Sequence, residues 1–106
     1  QRHYLGALEI FRKNGDRGGE AASLNHLAFT ALWRSDKAEQ ERLHRESLDI
    51  RRKIGDRRGE ANSLINLGAA LHNRNMDESH RCYTEAVRIQ REIGIPIDQW
   101  FIDNGY

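Results

Sequence analysis

The sequence predicts an all-α fold, an antiparallel helix-pair solenoid of about two and a half repeats closed by a short C-terminal capping helix. Three observations predict it. First, residues 8–28 (LEIFRKNGDRGGEAASLNHLA) are answered by residues 48–68 (LDIRRKIGDRRGEANSLINLG) at an offset of 40. Self-similarity at such a period marks stacked supersecondary units. Second, apolar residues inside each copy fall at i, i+3, i+4 and i+7, one face of an amphipathic helix. No segment alternates with period two, so no sheet is expected. Third, Gly-Asp pairs stand between the helical patterns, where glycine suits a left-handed helix end and aspartate an N-cap.

The elements follow in order. Residues 2–14 read as the second helix of an incomplete unit, with Tyr4, Leu5, Leu8 and Phe11 covered on one side only. Gly15 ends it, Asp16 caps the next helix, and Glu20 places negative charge in the first turn, where it complements the helix dipole. Helix 17–34 carries Leu24, Leu27, Ala28 and Ala31 on one face; helix 37–54 carries Leu43, Ser47, Leu48 and Ile54. Gly55, Asp56 and Glu60 repeat the punctuation before helix 57–74, whose stripe is Leu64, Leu67, Gly68 and Leu71. Helix 77–93 offers Tyr83, Ala86, Val87 and Ile93. Its end, Val87 to Gly94, answers Leu48 to Gly55 at an offset of 39, so one residue is lost, most simply in the turn near Asn75-Met76. Turns tolerate deletions best.

A short helix at 97–104 follows Pro96. The tail IPIDQWFIDNGY leaves the repeat pattern and is expected to lay Trp100, Phe101 and Ile102 over the last unit's open core; the rival reading is a docking segment for a neighbouring chain. The organisation is thus one domain over 1–106: residues 1–15 an incomplete repeat, 16–54 and 55–94 full repeats, 95–106 the cap. A solenoid unit buries its apolar face only against neighbours. The open first helix therefore leads us to expect a piece of a longer array, or self-association of the chain through that end.

These residues resemble the tetratricopeptide repeat. Leu64, Leu67, Gly68 and Leu71 fit that family's helix A, Ala86 fits the small position late in its helix B, and the Gly-Asp-Arg-x-Gly-Glu-Ala connection resembles its 40-residue subclass. That subclass occurs in spindle-orientation adaptors binding G-protein regulatory peptides and in arrays attached to signalling ATPases. The middle unit departs from the pattern: Ala28 replaces Gly, Ala31 a large residue, Ser35 the turn Gly, Gln40 a small alanine and His44 an aromatic. Looser packing is expected there.

The resemblance implies a non-catalytic module that binds a protein or peptide on a concave surface lined by the A helices. Its inward positions are Ala22, Asn25, His26, Phe29, Leu32 and Trp33 in one unit and Asn62, Ile65, Asn66, Ala69, His72 and Asn73 in the next. Asn66 matches the family's inward asparagine, whose amide both donates to and accepts from a peptide backbone; the bland alternative is a bond inside the array. Phe29 and Trp33 fit a partly apolar groove, or packing against a further unit. Alternatives for the whole chain are a structural or sensor arm of a nucleotide-switch signalling protein, and a self-associating scaffold.

Composition narrows the field. Against 16 acidic residues stand 17 basic ones, a net charge of +1, without the basic excess a nucleic-acid binder usually shows. The lone Cys82 forms no intrachain disulfide, which leans towards a reducing, cytoplasmic setting. No stretch reaches the roughly 20 apolar residues of a membrane span. No two of the five histidines are spaced i, i+4, and His80 and Cys82 lie on different sides of a helix, so neither a zinc site nor any cofactor is expected. Arg17, Arg57 and Arg58 fall in the connections, where solvated ion pairs with Asp16, Glu20, Asp56 and Glu60 are expected.

Overall fold

The computed structural model describes residues 2–106, with side chains from Leu5 onward. In chain order the helices are α1 (Arg2–Lys13), α2 (Arg17–Trp33), α3 (Lys37–Lys53), α4 (Arg57–Leu71), α5 (Met76–Ile93) and α6 (Gln99–Asp103), with no strand among the described residues. Each of the first five packs on its chain neighbours, which gives the expected stack of helix pairs.

Local chemistry sets the helix boundaries. Asp16, Asp36, Asp56 and Asn75 each accept, through the side chain, the N–H three residues on, at 2.9, 3.1, 2.9 and 3.1 Å. One orphan donor at each N-terminus is thereby satisfied. Gly15, Gly55 and Gly94 take φ of +72°, +73° and +75°. The following N–H then reaches back to the carbonyl of Phe11, Arg51 or Gln90 at 2.8, 3.0 and 2.9 Å, closing a Schellman turn.

Ser35 closes the same turn after α2 at φ +58°, with the Asp36 N–H on the Ala31 carbonyl at 2.9 Å. A side chain in the left-handed region costs about 1 kcal/mol. Ser35→Gly is therefore expected to raise the melting temperature by a few degrees, less whatever the freer unfolded chain takes back. A thermal melt followed by circular dichroism checks this.

The turn after α4 differs. His72 leaves the helix at φ −57°, ψ 131°, and Asn73 turns the chain at φ +69°. The residue lost from the repeat is absorbed here, so α4 ends three positions short of the expected 74. His72 and Asn73, expected on the helix, lie in the turn.

The second helix of each pair is sandwiched. Leu48 belongs to the core shared with α4 and α5, whereas Ile50 belongs to the core shared with α1 and α2. Two positions apart on a helix means about 200° apart in direction, so α3 buries two opposite stripes. Ile89 repeats the role of Ile50, and Val87 that of Leu48. This corrects the reading of Ile54 and Ile93 as core: both are exposed, at 44% and 40%, while Ile50 and Ile89 are buried. A single-stripe reading misses a helix with two apolar faces.

Close approach relies on small residues. Ser47 Oγ donates to the Ala21 carbonyl at 2.9 Å and Ser79 Oγ to the Gly68 carbonyl at 2.8 Å, both buried, so each hydroxyl is satisfied where the helices meet. Gly68 lies under the Tyr83 ring: a Cβ there would sit 2.7 Å from Cε1. The equivalent pair in the preceding repeat is Ala28 with His44, both fully buried. The added methyl is matched by a smaller ring. Two departures expected to loosen the middle unit instead compensate each other in size.

Two further expectations need correction. In the tail, Phe101 is buried against Tyr83 and Val87, with Ile65, Ile97 and Tyr106 alongside, but Trp100 and Ile102 are half exposed. The hydrophobic cover is thus Ile97, Phe101 and Tyr106. In the connections, Glu20 and Glu60 are buried rather than solvated. Glu20 is held by Arg12 at 3.0 Å and Arg17 at 2.6 Å, and Glu60 by Arg52 at 3.2 Å and Arg57 at 2.9 Å. Arg12 and Arg52 also reach Glu46 and Glu85 on the following helix, so each ties three consecutive helices together. Two arginines per carboxylate answer its desolvation.

Candidate partner-binding groove

The first helix of each pair, α2 and α4, lies beside its counterpart. Asn66 Nδ2 donates to Asn25 Oδ1 at 2.9 Å, across 41 positions of sequence. The expected recognition amide, Asn66, thus meets the inward Asn25 at the seam between repeats. Asn66 uses one donor and Asn25 one acceptor in this bond; each side-chain amide has further donor or acceptor positions. The alternative reading of Asn66, a bond inside the array, is the one the structure shows.

The remaining positions divide by height along the helices. Asn62 is exposed on the second turn of α4 and His26 exposed beside Asn25. Phe29 is 41% exposed and meets the buried His44 ring edge-on, centroids 5.8 Å apart at 77°. Leu32 is half exposed, and Trp33, the last residue of α2, is 88% exposed. Ile65 is only half buried and packs against both the central core and the Phe101 cluster, so α6 covers part of it. Ala69 is exposed on the last turn of α4, with His72 and Asn73 in the turn below it. The Asn73 N–H points to Met76 Sδ at 3.2 Å.

The electrostatics are lopsided. Beyond their first turns α2 and α4 carry no charged side chain, whereas α3 and α5 carry charges along their length. On those outer helices Arg45 grips Glu78 at 2.7 Å and Glu41 at 2.9 Å, and this holds the Glu78 carboxyl below its usual range. The face shared by α2 and α4 is neutral, amide-lined at its centre and apolar at the Phe29–Trp33 end.

Cys82 is buried and its thiol is pushed up by desolvation, which keeps it protonated and unreactive. Among the described residues, no group of three or more His, Cys, Asp or Glu is placed to hold a metal ion. No described helix is long and apolar enough to cross a membrane.

Stacked antiparallel helix pairs define a helical-repeat module. The family model described as Tetratricopeptide repeat matches residues 20–92, well over half of the chain, and the chain belongs to that family. Its repeats generally serve protein–protein interaction. A comparison with curated proteins finds no match.

Proposed function

We propose that the chain is a non-catalytic interaction module that captures a protein or peptide segment along the face shared by α2 and α4. The observation that carries this reading is the seam itself: the Asn25–Asn66 amide pair, flanked by the exposed Phe29 and Trp33. An extended segment lies with a backbone amide on the asparagines and an apolar side chain against Phe29 and Trp33. Asn62, Ile65, Ala69 and the turn residues His72 and Asn73 form the other bank. With no charge on the groove, affinity should vary little with salt, since screening acts on charged contacts.

The test is selection of peptides from a displayed random library on the immobilised chain, followed by titration of a selected peptide. Trp33→Ala is expected to weaken it about tenfold or more, as truncation of an aromatic anchor does. Asn66→Ala should weaken it by a smaller factor, with helicity unchanged for both variants. Equal binding by both variants would remove the groove from consideration. Affinity that collapses between low and moderate salt would direct attention to the charged outer helices.

A further inference from the structure

The seam between successive second helices is hollowed twice, at equivalent places. Between α1 and α3, over α2, lies a hollow of about 250 Å³ floored by Leu5, Leu8, Leu24, Leu27 and Leu43. Between α3 and α5, over α4, lies one of about 230 Å³ floored by Leu48, Leu64, Leu67 and Cys82. The second is spanned: Arg45 of α3 grips Glu78 of α5 with two nitrogens, both at 2.7 Å. Leu5 stands 40 residues before Arg45 and Glu39 stands 39 before Glu78, so the first hollow lacks that bridge. Glu39 turns instead to Arg42 on its own helix, at 2.5 Å. Leu5 is left 49% exposed above four buried leucines. The charges on the rim are matched among themselves. Arg12 holds Glu46 at 3.0 Å, and Arg42, with Arg34 adding to it, keeps the Glu39 carboxyl below its usual range.

We propose that the hollow between α1 and α3 is a binding site for a small uncharged ring compound, left unspanned because Leu5 replaces the bridging arginine. Its walls are all supplied by α1, α2, α3 and the turn after α2. The leucines offer apolar contact, while the paired rim gives an ionic group no partner, and desolvating one there is costly. At about 250 Å³ the space lies just under the roughly 300–1,000 Å³ of drug-sized sites, which suits a ring system of indole's size. None of the groove residues named above lines it, so the site is independent of peptide capture between α2 and α4.

Indole is the probe, titrated into chain labelled at the leucine methyls and followed by NMR, with indole-3-carboxylate as the charged comparator. Saturable shifts are expected at Leu5, Leu24 and Leu43, and the carboxylate should bind about tenfold more weakly or worse. Leu5→Arg restores the bridge to Glu39 and should weaken indole by about tenfold or more, because a guanidinium would have to be desolvated under the ring. Its melting temperature should hold or rise, which separates lost binding from lost folding. Arg45→Leu is the reciprocal variant: with the second hollow unspanned, a second set of saturable shifts should appear at Leu48, Leu64 and Leu67. Absence of saturable shifts in the parent, undiminished binding by Leu5→Arg, or no second site in Arg45→Leu overturns the proposal. The carboxylate binding as tightly as indole overturns it too, and so do shifts at Leu32 in place of Leu5, which would seat the ring in the groove.

Discussion

Acidification from pH 7 to pH 4 is expected to destabilise the folded chain, with His44 contributing up to about 3 kcal/mol. Its imidazole is fully buried, neither ring nitrogen has a hydrogen-bond partner, and Arg51 adds a like charge nearby. Burial first, and Arg51 second, push the pKa from 6.5 to about 4. The unfolded chain therefore takes up the proton near 6.5, before the folded one does. Stability is fully present above that value, falls as pH drops from about 6.5 to about 4, and levels off below. Carboxylates titrate in part of the same window, so the contribution of His44 is isolated by difference. His44→Leu, similar in size and without polar atoms, should lose this share of the pH dependence. It should also gain about 1–3 kcal/mol at neutral pH, the cost of a buried unsatisfied group. Urea melts of both proteins at pH 7.5 and pH 4.5 measure it. Parallel losses of stability in the two proteins would mean that the ring finds a partner in solution.

The second large effect belongs to the size-matched pairs. Gly68→Ala is expected to cost a net of about 0–2.5 kcal/mol: overpacking of about 1–3 kcal/mol, less the roughly 0.5–1 kcal/mol gained by removing glycine from a helix. Relief by ring movement is restricted, because Tyr83 is boxed in by Trp100, Phe101 and Tyr106 with centroids 5.7, 5.2 and 5.5 Å away. The preceding repeat supplies the reciprocal test. His44→Tyr alone should destabilise, since its ring meets the Ala28 methyl; adding Ala28→Gly recreates the Gly68–Tyr83 arrangement and should recover most of the loss. A coupling of about 1–2 kcal/mol in this cycle is expected, and a coupling near zero would separate the two positions.

Much of this architecture was legible in the sequence because repetition makes each unit a check on the other. The two Gly-Asp connections announced a left-handed helix end and an N-cap, and Gly15, Asp16, Gly55 and Asp56 take those roles. Helix ends were recovered to within about a residue or two for most elements, because capping is a local property. The exception was α4, where the deleted residue shortened the helix and moved His72 and Asn73 into a turn. Asp36 and Asn75 were also caps, recognisable by residue type but lacking the glycine signal before them.

What stayed hidden required knowing neighbours in space. Ile50 and Ile89 point away from the stripe that defines their helix, and only a helix packed on two sides makes both directions interior. Glu20 and Glu60 look like exposed first-turn acids until Arg12 and Arg52 arrive from the preceding helix. For the groove, the inward positions followed from the family resemblance, but the Asn25–Asn66 contact depends on how two repeats are set against each other. Sequence position alone could not have distinguished Ile65, partly under the cap, from Trp33, almost wholly in solvent.

The most direct test of the central claim is an amide-resolved NMR titration of the chain with a library-selected peptide. Shifts are expected to concentrate at Asn25, Phe29, Trp33 and Asn66 and at the Asn side-chain amides, with α3 and α5 nearly silent. Shifts gathered instead on the charged outer helices, around Arg45 and Arg52, would contradict it.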